Sequence, residues 1–220
     1  MIEIAPNVWR WTRRHPEWHP GAFGAEVASF WMRDDAGLVI VDPLLDDKTD
    51  PVLHALESNA FGTVRILITV PYHVRSAELV WEHLGKQCDT AIFGHALCAK
   101  RLQSSVGLVA LKGGETLAGD VRVHPIGSPR RSEFPFEIPS HRALAFGDAV
   151  VETGKGALRV WDDPVDSASR KKWWDERFLP TLRPLAKLDV ERVLVTHGQP
   201  VLKGGAKALA KAFGQPPWQR

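Results

Sequence analysis

Residues 66–85 leave the chain little choice of local structure. They read Ile66-Leu67-Ile68-Thr69-Val70-Pro71-Tyr72-His73-Val74-Arg75-Ser76 and continue to Gly85. The apolar run 66–70 has the length and residue types of a buried strand. Pro71 ends it, because proline has no amide hydrogen to donate and holds the residue before it extended. Ser76 then suits a helix N-cap, with Glu78 in the first turn near the positive end of the helix dipole. Leu79, Val80, His83 and Leu84 recur on one helical face, and Gly85 suits the stop. Strand, polar turn and helix follow in order, and in open α/β sheets the turn after a strand's carboxyl end is where ligands sit. The polar groups of this turn are Thr69, Tyr72, His73 and Arg75.

The same alternation extends on both sides. Residues 8–11 place large apolar side chains two apart, a strand pattern. Residues 13–21, rich in Pro and Gly, form a loop carrying His15, Trp18 and His19. Residues 26–33 and 37–41 are two more strands joined by the Asp34-Asp35-Ala36-Gly37 turn, and Asp42-Pro43 closes the second. Asp50-Pro51 starts a helix whose buried face holds Val52, Leu53 and Leu56. A strand at 90–93 and a helix at 95–102 complete a strand–helix alternation that argues for a mixed sheet with covering helices. Beyond it come short strands at 108–111, 121–123, 134–138, 143–146 and 158–160, the mark of a second, largely antiparallel sheet. A helix capped by Asp166 or Ser167 and running to about 179, a strand at 192–195 and a helix at 202–213 follow.

Composition narrows the function classes. At 220 residues the chain is expected to form a single domain over 1–220, and 44% hydrophobic with 25% charged residues is a soluble globular mix. A formal charge of +2 is too small to imply a nucleic-acid partner. No apolar run approaches the ~20 residues of a membrane span, so no membrane partner is expected. The N-terminus lacks a basic segment followed by an apolar one, and Cys88 and Cys98 have neither metal-type nor framework spacing. Both features suit a cytoplasmic protein with reduced thiols. Nine tryptophans fit core and interface packing, but the adjacent Trp173 and Trp174 are not expected to face one core. One of them would then meet a ligand or a second copy, which makes a homodimer an expectation.

Two further turns follow apolar strands: Gly147-Asp148-Ala149 after 143–146, and Thr196-His197-Gly198 after 193–195. With Asp42-Pro43 and the turn after Thr69, they resemble the metallo-β-lactamase-like family over nearly the whole chain. The resemblance implies a four-layer αββα sandwich. It also implies a two-metal hydrolytic site in which Asp148 would bridge the metals and His197 would be the last histidine ligand. Against the family's T-H-x-H-x-D-H motif, however, this chain places Val70, Tyr72, Val74 and Arg75 at the ligand positions. Gly127 matches the family's Pro-Gly-His turn but Ser128 stands where its histidine is expected, and His73 lies out of register.

A guanidinium stays protonated and has no lone pair to give, so Arg75 would replace a cation by a fixed organic charge and pair with Asp148. No metal or other cofactor is therefore expected. The alternative is one zinc or other divalent ion held by His73, Asp148 and His197. Candidate catalytic groups are Tyr72, His73, Arg75 and His197, with a histidine as base, Tyr72 as acid and Arg75 on an oxyanion. Candidate pocket residues are Trp18, His19, Asp42, Ser128 and Asp148. The reading that follows is a metal-free small-molecule-binding or non-standard catalytic member of the family. Its alternatives are a mononuclear-metal hydrolase of ester, thioester or lactone bonds, and a non-catalytic structural or regulatory module.

Overall fold

Period-two burial builds two sheets whose inner faces meet. The computed structural model describes residues 1–20, 24–103, 107–162 and 165–218. The first sheet has seven strands in chain order: β1 (Ile2–Ala5), β2 (Val8–Arg14), β3 (Glu26–Asp34), β4 (Gly37–Val41), β5 (Thr63–Leu67), β6 (Asp89–His95) and β7 (Leu108–Leu111). Strands β1 to β4 pair antiparallel, and β4 to β7 pair parallel. The second sheet contains β8 (Arg122–Val123), β9 (Phe136–Ile138) and β10 (Ala143–Phe146), followed in the chain by the hairpin β11 (Val150–Glu152) and β12 (Leu158–Val160). Strand β13 (Arg192–Val195) lies beside β10 and parallel to it, giving the order β13-β10-β9-β8.

Alternate side chains separate into three buried clusters. Ala28, Phe30 and Met32 of β3 and Val39 and Val41 of β4 pack on Phe136, Ile138, Ala143, Ala145 and Leu194 of the other sheet. The intervening Trp31, Leu38, Ile40 and Ile66 point outward, under α1 (Pro51–Asn59) and α2 (Ala77–Leu84). In the second sheet Leu144, Phe146, Val193 and Val195 point outward, under α3 (Ala168–Trp173), α4 (Leu179–Leu182) and α5 (Gly205–Phe213). Helix, sheet, sheet and helix are the four layers expected, each interface closed by side chains worth about 1.5–3 kcal/mol apiece when fully buried.

Local departures have local causes. The central strand runs three residues earlier than expected, over Thr63–Leu67, and Pro71–His73 form a tight helical turn. Ser76 does not cap α2, because its hydroxyl accepts the Leu45 amide at 3.0 Å instead. Asp50 does cap α1, through the Val52 amide at 2.9 Å. The helix expected at 95–102 is only a short 3-10 segment, Ala96–Lys100, because residues through His95 extend β6. The helix expected to run to 179 is interrupted by a π-helical stretch, Trp174–Phe178. That wider winding changes the fate of the tryptophan pair. Trp173 and Trp174 are both buried in one cluster, packed on Phe178 with ring centroids 5.0 and 5.3 Å away. The pair thus offers no exposed surface to a second copy. Gly21, at the end of the first loop, lies outside the described residues. No helix among the described residues is long and apolar enough to cross a membrane.

Candidate functional site

Four strand ends converge on one point. Asp42 follows β4, residues 69–75 follow β5, Asp148 follows β10 and His197 follows β13. The two members of each parallel pair deliver their carboxyl ends to the same edge of the sandwich. The sheets are joined there by two backbone hydrogen bonds. Ala28 donates to Thr196 O at 2.8 Å, and Phe134 donates to Thr69 O at 2.8 Å. Gly147 allows the closest approach, since a Cβ on it would lie 2.6 Å from Thr69 Oγ1.

Asp42 organises the inner end. It is buried, with φ +48°. Its Oδ1 accepts the Thr69 amide at 2.9 Å, and its Oδ2 accepts the Thr69 hydroxyl at 2.5 Å and faces His73 Nδ1 at 2.9 Å. The other ring nitrogen, Nε2, lies 3.3 Å from Asp148 Oδ1. His197 Nε2 approaches the same oxygen at 3.5 Å. These are ion-pair distances; Asp148 Oδ1 is buried and takes no fully aligned hydrogen bond. His73 is therefore an imidazole closed between two carboxylates.

Burial pulls its pKa down and Arg75 does the same, but Asp148 and Asp42 outweigh both, and the ring is raised to about 9. For Asp148 burial acts upward, and the two imidazoles more than offset it, so the carboxyl sits well below its ordinary range. The unfolded imidazole titrates near 6.5. Its contribution to stability is thus fully present below about 6.5 and disappears as pH rises through about 9, amounting to about 3 kcal/mol. We expect denaturant midpoints to fall between pH 7 and 9 in the wild type and to stay nearly level in His73→Gln. Parallel pH profiles for the two proteins would contradict this assignment.

Arg75 does not hold Asp148 by contact. Its Nη1 donates to the Asp42 backbone carbonyl at 3.2 Å, while Nε and Nη2 are buried without a partner. Asp148 pairs with the two histidines instead. The guanidinium acts at longer range: burial lowers its pKa, and the fields of Asp42 and Asp148 oppose that. The buried charges then balance, with Arg75 and protonated His73 against Asp42 and Asp148.

A cavity of about 210 Å³ opens onto this cluster. His73, Arg75, Asp148, His197 and Tyr72 line it, together with Trp18, His19 and His15 of the first loop. Ser128 does not belong to it and sits exposed in the turn before Pro129. Tyr72 is 65% exposed and also lines a second, larger cleft. Most of the anticipated residues are thus brought together, with Ser128 left outside.

Two residues carry weight that their sequence context did not reveal. His15 lies close enough to Arg75, His73 and His197 to feel all three; burial lowers its pKa, and Arg75 adds to that. Glu133 is buried behind the Asp148 turn, where Oε1 accepts the Gly147 amide at 3.1 Å and Oε2 accepts the Ala149 amide at 3.0 Å. Arg131 Nη1 donates to Glu133 Oε2 at 3.0 Å. Burial pushes the Glu133 carboxyl up to about 7 against the pull of Arg131. Nothing around Glu133 in the sequence marks it, because its partners are backbone amides fourteen and sixteen positions away.

The residues do not suit the two-metal centre that the family resemblance implies. His73 spends Nδ1 on Asp42 and aims Nε2 at Asp148, and a buried guanidinium stands where a ligand belongs. Among the described residues, no group of three or more His, Cys, Asp or Glu side chains is arranged to hold a metal ion, so the His73–Asp148–His197 alternative meets the same objection.

No family model and no curated protein matches the chain. Solved structures do. A metallo-β-lactamase from Pontibacter korlensis superposes with a TM-score of 0.65 at 15% identity, covering 98% of both chains. A metallo-β-lactamase family protein from Thermus thermophilus gives 0.60 at 16% identity over 96% of this chain and 78% of its own. The chemotaxis sensor ODP, solved as a peroxy-diiron species, gives 0.59 at 13% identity over 87% of each chain. Identities this low speak for the fold alone. Layer order, strand-end convergence and these superpositions agree: the chain has the metallo-β-lactamase fold.

Proposed function

We propose that this protein binds an anionic or carbonyl-bearing small molecule in the cavity over His73 and Arg75, and acts on it, if it is turned over, by metal-free acid–base chemistry. The observation that carries this reading is the closure of His73 between Asp42 at 2.9 Å and Asp148 at 3.3 Å, beside a buried guanidinium with two unpartnered nitrogens. An imidazolium so held keeps both N–H groups on carboxylates and acts as fixed positive charge that can polarise a carbonyl beside it. Arg75 supplies fixed positive charge for a developing oxyanion, in a site where few other dipoles compete. His197, oriented by Asp148, stands ready to take a proton from water or substrate.

Tyr72 plays no acid role in this reading. Its ring is largely exposed and packs under Arg101 at 4.1 Å, so it serves as a wall. The β-lactamase neighbours support a hydrolase-like scaffold, and ester, thioester or lactone bonds are the substrates to screen first.

Two measurements test the proposal. Elemental analysis of protein purified without chelators is expected to show metal well below one equivalent per chain. Nitrogen-15 NMR is expected to show the His73 imidazole doubly protonated at pH 7.5. One bound zinc per chain, or a neutral His73 at that pH, would overturn it.

A further inference from the structure

We infer that the cleft beside the His73–Asp148 cluster is a binding site for a phosphate-bearing small molecule with a planar ring, the chemical class of the nucleoside phosphates. This deepens the function proposed above, resting on it only in that the cleft opens onto Asp148.

The cleft measures about 980 Å³, at the upper end of the ~300–1,000 Å³ of small-molecule pockets. Its walls are cationic: Lys100 and Arg101 on one side, Arg130 and Arg131 on the other. Arg131 is already committed to Glu133 at 3.0 Å and Asp162 at 3.5 Å. The other three have no acidic partner among the described residues: Arg101 lies over Tyr72, and Arg130 lies 3.4 Å from the Ser169 hydroxyl and over Trp173. Asp148, the other acid on the cleft wall, is taken by the two histidines. Three uncompensated cations thus face one space in a chain whose formal charge is only +2. Such an arrangement repels itself in the empty state and is relieved by a multiply charged anion.

The second observation concerns shape. Tyr72 and Leu97 are among the few large apolar side chains left exposed, at 65% and 39%, and both line this cleft. Trp161 lines it as well. An exposed aromatic face beside arginines suits a planar ring carrying phosphates, because stacking and charge pairing are then satisfied by one ligand. A simple inorganic anion would leave the apolar wall wet, and an uncharged ring would leave the cations unpaired.

The test uses ADP, inorganic pyrophosphate and adenosine as probes, with affinities measured by isothermal titration calorimetry on the full chain. ADP is expected to bind best, pyrophosphate several-fold more weakly and adenosine not measurably, with ADP affinity falling as salt rises. Lys100→Glu and Arg130→Glu are each expected to weaken ADP roughly tenfold while thermal unfolding is unchanged, because both side chains are exposed. Tyr72→Ala should weaken ADP and leave pyrophosphate alone. The inference is overturned if ADP fails to bind below roughly 1 mM, a limit worth only ~4 kcal/mol of affinity, or if neither charge reversal changes its affinity. His73→Gln separates the two proposals: ADP binding that persists in this variant supports the cleft whatever NMR says of the His73 proton, and its loss there would place the ligand in the histidine cluster and overturn the cleft.

Discussion

Asp42→Ala is expected to lower the stability of the protein by about 4 kcal/mol, the range found when one partner of a buried charged pair is removed. The carboxylate accepts the Thr69 amide and hydroxyl and closes on His73 Nδ1, all within buried surroundings. Alanine would strand a backbone donor and remove one of the two counter-charges of the imidazole. It would also have to adopt φ +48°, which a methyl side chain tolerates less well than aspartate does. For a chain this long, each kcal/mol moves the melting temperature by ~2–4 °C, so a drop of roughly 8–16 °C is anticipated. Differential scanning calorimetry at pH 7 checks it. A midpoint within about 3 °C of wild type would mean that Asp42 is not the anchor of the site.

Glu133→Ala should be nearly as damaging and more informative about function. Its carboxyl gathers the amides of Gly147 and Ala149 on either side of Asp148, and also receives Arg131. Removing it strands two buried backbone donors and releases the turn that sets Asp148 between His73 and His197. A loss of about 3 kcal/mol is expected from the unsatisfied donors and from Arg131 losing the nearer of its two carboxylates. Urea unfolding measures that loss, and NMR on the same variant should show His73 losing its proton at lower pH, because Asp148 is no longer held against it. If stability falls while the His73 titration stays where it was, Glu133 is a structural latch with no bearing on the site. Glu133→Gln is the conservative control, since one amide oxygen can still accept while the nitrogen faces donors.

The strand faces and most helices could be read from the chain because their cause is local, whereas the four layers were expected only from the family resemblance. Alternation at Ala28-Ser29-Phe30-Trp31-Met32 assigns each side chain to one face of a strand, whichever neighbour that strand later finds. Capping at Asp50 was equally legible, since its partner is two residues on. Ser76 was misleading for the opposite reason: the Leu45 amide, thirty-one residues away, competes for the hydroxyl and wins. Trp173 and Trp174 share a core only because the π-helical stretch departs from the 3.6-residue period on which the expectation depended.

By itself, then, the sequence determined a mixed α/β chain with Asp42, His73, Arg75, Asp148 and His197 on strand-end turns, and only its resemblance to a known family implied the two-sheet sandwich. Tertiary structure alone decided what those residues do to one another. Whether Arg75 or two histidines would neutralise Asp148, and whether Glu133 would reach the turn behind it, depends on distances across two sheets. Long-range electrostatics is set by burial and by separations of a few ångströms, and neither quantity is written in the order of the residues.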